Sequence, residues 1–354
     1  MNGKLIKGRG ATGNPHNRYQ ANRREDFDDG WGSLDEALAP LRTTLTADRA
    51  RSVIARNESP DVPFDRSVNP YRGCEHGCVY CYARPSHAWL GHSPGLDFES
   101  YLYYKPDAVE CLRRELAAKN YRCAPIALGA NTDAYQPVEQ QQRLTRRILE
   151  LLADCAHPVE IITKSALIER DIDLLSEMAS RRLVSVHLSV TTLDRTLARH
   201  LEPRAASPQR RLRSIEALHE AGIPVGLLLA PVIPVLTDPE MESILEAAQA
   251  AGARDARMIL LRLPHEVAPI FSDWLHEFKP DMAERVLQRI RDTRSGALND
   301  SDFAQRMTGR GAYADLLQKR FALARRRLGY GDLPELDSSA FRAPPGDDGQ
   351  MDLF

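Results

Sequence analysis

The sequence predicts an α/β fold built on a parallel sheet, and three observations carry that prediction. Short aliphatic or β-branched runs recur at roughly 25 to 40 residues along the middle of the chain. A stretch with helical apolar spacing follows each run, and no tight hairpin signal joins one run to the next. Strands alternating with helices imply parallel pairing throughout, in either an open doubly wound sheet or a partial barrel.

The elements follow in order. A first strand leads into Tyr71, and further strands are expected at 125–128, 159–163, 183–191, 225–230 and 257–262. Between them, helices are expected at 141–152, 166–180, 208–221 and 240–251. Ser207 and Pro208 form an N-cap and first-turn pair, and Gly222 stands where that helix should stop. The longest uncharged run, Ala221 to Thr237, approaches membrane-spanning length but carries Pro224, Pro231 and Pro234, so it reads as a buried strand and its connections. No short repeat is apparent.

Around this middle, composition sets the limits. The chain has 354 residues, 47 Lys+Arg against 49 Asp+Glu and 43% hydrophobic residues, which suits a globular protein and leaves nucleic-acid contact to a local basic patch. Residues 1–56 are polar and expected to form a loosely ordered arm. The core domain is expected at 57–331, with a C-terminal helical extension, and residues 332–354 read as a disordered tail. The first ten residues lack the apolar stretch of a secretory signal, so a cytoplasmic location is expected, with no membrane partner. That compartment disfavours structural disulfides, which turns attention to the six cysteines.

Three of them stand in the segment NPYRGCEHGCVYC, where Cys74, Cys78 and Cys81 are spaced C-x3-C-x2-C in a loop after the first strand. Three thiolates on one loop suit a [4Fe–4S] cubane with one iron left open to another ligand. A zinc site of Cys74, Cys78, Cys81 and His76 is the alternative, although His76 would have to fold back between the first two cysteines. Three reduced buried thiols are a third reading, set against the glycines and charges around them.

This spacing, with the aromatic Tyr80 just before the third cysteine, resembles the signature of the radical S-adenosylmethionine (SAM) superfamily. The stretches RSVNPYRGCEHGCVYCYARPSHAWLG, LGANTDAYQPVE, ITKSALIERDIDLL, SVTTLDRTLARHLEPRAASPQRRL and LLRLPHE resemble the branch related to spore photoproduct lyase, over about residues 50–330. The resemblance implies a partial (β/α)6 barrel with flexible tails. It also implies a cluster whose open iron chelates SAM, and reductive cleavage of SAM to a 5′-deoxyadenosyl radical that takes hydrogen from a substrate. It assigns the cluster to Cys74, Cys78 and Cys81 and sets Tyr80 against the adenine. Gly129, Asn131, Thr132 and Asp133, at the end of the second strand, become candidates for the SAM amino group, the alternative being an ordinary βα turn. Lys164 and Ser165, with Ser189 and Thr191, end the next two strands and could face the same site. Glu202 and Arg204 would meet the ribose or amine and the carboxylate of SAM, or form a surface ion pair. Arg262 and His265 are candidate substrate contacts. The cysteine that donates hydrogen in spore photoproduct lyase falls on Ala130, so the resemblance leaves the donor to Tyr135, Cys123 or a tyrosine relay.

The partners follow from chemistry and from the ends of the chain. SAM cleavage needs an electron donor such as flavodoxin or ferredoxin. Gln350, Leu353 and Phe354 resemble the terminal peptide by which bacterial repair proteins bind the DNA sliding clamp. Arg204, Arg210, Arg211 and Arg213 could track phosphates, or line a solvated helix. The leading expectation is a radical SAM enzyme of DNA repair or nucleic-acid modification. The alternatives are a radical SAM enzyme that modifies a protein or small metabolite, and a non-enzymatic zinc-binding adaptor.

Overall fold

The computed structural model describes residues 8–20 and 41–345. Its strands, in chain order, are β1 (Thr44–Ala47), β2 (Ile54–Arg56), β3 (Arg66–Val68), β4 (Tyr71–Arg72), β5 (Tyr101–Tyr104), β6 (Ile126–Leu128), β7 (Val159–Thr163), β8 (Val184–Ser189), β9 (Val225–Val232) and β10 (Asp255–Leu260). The large sheet is ordered β10-β9-β8-β7-β6-β3-β2. From β3 to β10 every neighbouring pair is parallel. These six strands follow one another in chain order, so the crossovers all step the same way and stack their helices on one face. A doubly wound sheet would reverse at a switch point; the partial (β/α)6 barrel is what forms. Its curvature is visible inside, where His187 on β8 meets Glu160 on β7 at 3.2 Å and Asp255 on β10 at 3.0 Å. That reach crosses Gly226 of β9, where a Cβ would lie 2.7 Å from the imidazole.

Two expectations need correction. The sheet is not wholly parallel: β2 pairs antiparallel with β3, and a separate sheet of order β1-β5-β4 pairs β4 antiparallel with β5. These strands are two to four residues long, too short for an alternating pattern. Nor are the described parts of the termini loose. Arg9 is buried and donates to the Glu99 and Leu41 carbonyls, while the Gly10 and Ala11 amides both donate to the Glu99 carboxylate at 2.9 Å. At the other end the Asp337 amide donates to the Arg182 carbonyl and the Arg342 amide to the Cys155 carbonyl, which lays the tail over the core as far as residue 345. Polar composition hid both attachments because hydrogen bonds to distant acceptors make most of each, with single apolar anchors at Ala11 and Phe341. Gln350, Leu353 and Phe354 lie outside the described residues.

The helices amend the expected bounds modestly. Pro208–Glu220 is capped by the Ser207 hydroxyl, which accepts from the Arg210 amide, and Leu144–Asp154 starts beyond Arg143, whose φ of 50° breaks the expected helix. Among the described residues no helix is long and apolar enough to cross a membrane.

Where the tail crosses the amino-terminal edge of the barrel, it closes over a histidine. His157 is fully buried, 5.3 Å from the Phe341 ring and 2.7 Å from the Tyr121 hydroxyl. Burial pushes its pKa down to about 4, so the unfolded chain takes up a proton that the native state refuses between about pH 6.5 and 4. Stability is therefore fully present above pH 6.5 and falls through that window, by on the order of 3 kcal/mol for this group. The expected result is a urea midpoint that drops from pH 7.5 to pH 5 in the parent and drops less in His157→Gln. Equal slopes in the two proteins would refute the account.

Candidate active site

Parallel strands end at one rim, and the cysteine loop crosses it directly after β4. The loop needs glycine where it turns: Gly77 has φ of 68°, and a Cβ there would stand 2.7 Å from a Glu99 carboxylate oxygen. Beneath the turn lies Arg84, fully buried. It donates to the Cys78 carbonyl at 2.9 Å, the Gly77 carbonyl at 3.2 Å and the Glu99 carboxylate at 2.5 Å. A guanidinium thus fixes the backbone on both sides of the second cysteine. Its signal was only the Arg-Pro pair following the motif, which reads as a helix start and not as a support.

Cys74 and Cys78 are buried and Cys81 is half-buried. Burial pushes all three thiols up; the Asp133 carboxylate adds to the effect at Cys74 and the Glu202 carboxylate at Cys78, where Lys164 partly offsets it. Three such thiols give up their protons to a bound cation and not to bulk water. Soft thiolates suit zinc or an iron–sulfur cluster. Among the described residues no three His, Cys, Asp or Glu side chains converge closely enough to hold a single ion, and His76 faces Asp133 at 3.3 Å. This geometry opposes the alternative, a zinc site of Cys74, Cys78, Cys81 and His76. A cubane, in which each thiolate takes its own iron, fits the donor set.

Facing the loop, β7, β8 and the segment after β8 bring together a polar network. Glu202 is buried and accepts from the Tyr80 hydroxyl, from the Thr191 hydroxyl at 2.9 Å and from the Arg211 guanidinium. Lys164 stands 3.5 Å from Glu202, donates to the Ser189 hydroxyl at 2.8 Å and sits 5.6 Å from the Tyr80 ring centroid. Tyr80, Lys164, Ser189, Thr191 and Glu202, chosen separately from the sequence, therefore form one constellation. Asp133 adjoins it. Burial would raise this carboxyl, but His76, the Lys164 amide at 2.8 Å and the Thr163 hydroxyl at 2.7 Å together hold it down to about 2.

Other candidates fall elsewhere. Gly129, Asn131 and Thr132 form the turn after β6, with the Asn131 and Thr132 amides donating to the Asn69 side chain and the Thr132 hydroxyl to the Tyr71 carbonyl. Ser165 caps the short helix that follows β7. Arg204 pairs with Glu75 at 3.1 Å and not with Glu202; the partner of Glu202 is the buried Arg211. Arg210 is held by Glu169, so Arg210 and Arg211 are not available to phosphates. Tyr135 is fully buried and donates to Asp171 at 3.1 Å, with no cysteine among its partners. Cys123 precedes β6 and so lies at the amino-terminal edge, the far side of the barrel from the cysteine loop. Neither is placed to relay hydrogen at the carboxyl rim. Arg262 lies 5.0 Å from the centroid of the Tyr82 ring, and His265 is exposed at a φ of 49°.

Tyr82 itself was missed. It is 46% exposed and its hydroxyl donates to the Ala130 carbonyl, bridging the cysteine loop and the β6 turn. Its position directly after Cys81 was the available signal.

Comparison with known proteins bears on this rim. A family model described as the radical SAM superfamily matches residues 68–248. An uncharacterised protein of Mycobacterium tuberculosis is 35% identical over 265 residues, which cover 73% of this chain and 78% of the relative. A variant of spore photoproduct lyase superposes with a TM-score of 0.57 at 15% identity, covering 81% of this chain and 80% of that one. Spore photoproduct lyase complexed with dinucleoside spore photoproduct gives 0.50 at 17% identity over the same shares.

Proposed function

The chain belongs to the radical SAM superfamily, and on that premise we propose that Cys74, Cys78 and Cys81 hold a [4Fe–4S] cluster and that the enzyme acts on a damaged or modified base in nucleic acid. The observation that carries the reading is the three-cysteine loop set against the Lys164–Glu202–Tyr80 network at the carboxyl rim. Held by Cys74, Cys78 and Cys81, such a cluster would supply the one electron needed for reductive cleavage of SAM. Tyr80, its hydroxyl held by Glu202, offers a fixed ring to the adenine, while Lys164 and Asp133 meet the polar groups of SAM. The pKa of the Tyr82 phenol is raised and not lowered, so it keeps its O–H at neutral pH. It stands against Ala130, where the cysteine donor of the branch falls, and would return hydrogen by breaking its O–H bond to form the product C–H. The tyrosyl radical left behind would then take one electron from the external donor and a proton from water.

Support for a nucleic-acid substrate comes from four exposed aromatic rings, three of which lie beside an arginine. Trp89 is 71% exposed and lies 4.4 Å from the Tyr19 ring, which has Arg18 at 5.0 Å. Phe303 has Arg306 at 4.6 Å and Tyr82 has Arg262 at 5.0 Å. Such rings stack unpaired bases, each stack being worth about 1–3 kcal/mol. A further spore photoproduct lyase structure carries bound AdoMet and dinucleoside spore photoproduct.

The test is release of 5′-deoxyadenosine by anaerobically reconstituted, reduced protein given SAM with ultraviolet-irradiated DNA, undamaged DNA or none. Stimulation by irradiated DNA alone is expected. Release indifferent to DNA would move the substrate to a protein or metabolite while leaving the radical chemistry in place.

A further inference from the structure

Behind the cysteine loop, the helix Arg195–Leu201 and the turn to Ser207 and Pro208 line a cleft of about 530 Å³. Of the charged residues that line it, Arg195 and Arg199 are cations and Glu202 is a carboxylate already paired with Arg211. Arg204, Arg210 and Arg211 each have a carboxylate partner, whereas Arg195 and Arg199 are exposed and have none among the described residues. His200 stacks on Phe278 at 4.4 Å, and its pKa is held down by burial, by Lys279 and by Arg199. Of the two carboxylates at the ends of the helix, Asp194 is occupied in capping it through the Thr196 and Leu197 amides, and Glu202 is buried against Arg211.

The cleft backs directly onto the loop. The Leu201 carbonyl accepts from the Val79 amide at 3.0 Å, between Cys78 and Tyr80. Leu197 and Leu201 pack in one apolar cluster with Cys78, Val79 and Tyr80, and the Arg204 amide donates to the His76 carbonyl at 3.3 Å. Tyr82, by contrast, leaves the same loop toward Ala130 and Arg262. The loop therefore separates a cationic outer face from the mouth where a substrate meets Lys164 and Tyr82.

We propose that this cleft, centred on Arg195, Arg199 and His200, is the docking surface for an acidic one-electron carrier protein of the flavodoxin type. The inference rests on the cluster reading above. The carrier's reduced flavin would give up one electron to a cluster held by Cys74, Cys78 and Cys81, and no bond or proton would change hands. Complementary charge would speed the encounter and make it sensitive to salt. A nucleic acid is the weaker occupant because the target base has to reach the mouth on the other flank of the loop.

The test uses the reconstituted full chain and its Arg195→Glu/Arg199→Glu variant, with cluster bleaching followed by stopped flow after mixing with photoreduced flavodoxin, and separately with dithionite. The expected result is a flavodoxin rate at least tenfold lower in the variant, a weakened salt dependence and an unchanged dithionite rate, which also reports an intact cluster. Equal flavodoxin rates in the two proteins would overturn the docking surface. So would a variant that loses affinity for irradiated DNA while keeping the flavodoxin rate, since the cleft would then serve a phosphate backbone. Iron–sulfur absorbance missing from the parent would instead sink the cluster reading, and the docking proposal with it.

Discussion

The Cys78→Ala variant is expected to leave anaerobic reconstitution with neither iron–sulfur absorbance nor reductive SAM cleavage. Cys78 is the middle donor of the loop, 6% exposed and packed with Val79 and Tyr80. Two thiolates leave half the irons of a cubane without a protein ligand. The loss should be confined to the cofactor: trimming a buried sulfur to a methyl costs on the order of 1 kcal/mol of folding stability, so the protein should still unfold cooperatively. Iron analysis and 5′-deoxyadenosine release check the first expectation and a urea melt the second. Full cleavage activity in the variant would disprove the assignment.

A larger structural effect is expected from Arg84→Met. Besides the Cys78 and Gly77 carbonyls and Glu99, Arg84 donates to the Pro94 carbonyl at 3.1 Å and the Gly95 carbonyl at 2.9 Å. Both partners of the Arg84–Glu99 pair are fully buried. Removing the cation leaves the Glu99 carboxylate buried with only the Gly10 and Ala11 amides to face, and breaking such a pair from one side costs about 3–5 kcal/mol. The expected outcome is an unfolding free energy lower by that amount, read from a urea melt, and poor retention of iron despite intact cysteines. Arg84→Lys restores charge but not the planar fork, so it should recover stability only in part. Parent-like stability and iron content in Arg84→Met would show that the loop holds its shape unaided.

How much of this could be read from residues alone differs by kind of evidence. The parallel strands were legible because buried strands are continuous apolar runs, and the cysteine loop because its spacing is local. Lys164, Ser189, Thr191 and Glu202 were legible as strand ends and as family positions, without their mutual contacts. Arg84, Arg211 and Glu99 were not, since a charged residue becomes buried only when a partner elsewhere in the chain compensates it, and nothing local announces that partner. Cys123 illustrates a different failure. Its place before a strand puts it at the amino-terminal end of a parallel barrel, away from the rim where such barrels bind ligands. The polar ends misled for the reason Arg9 shows: a segment with no core of its own still fastens to someone else's buried acceptor.

That fastening bears on modularity. Glu99 and Arg84 lie inside the region the family model matches, but the Gly10 and Ala11 amides that complete their cradle lie almost sixty residues upstream of its start at residue 68. The unit that is inherited or transplanted as a functioning whole is therefore wider than the unit that is recognised. A chimera cut at the recognised boundary would carry every cysteine and still lack part of the floor on which their loop rests.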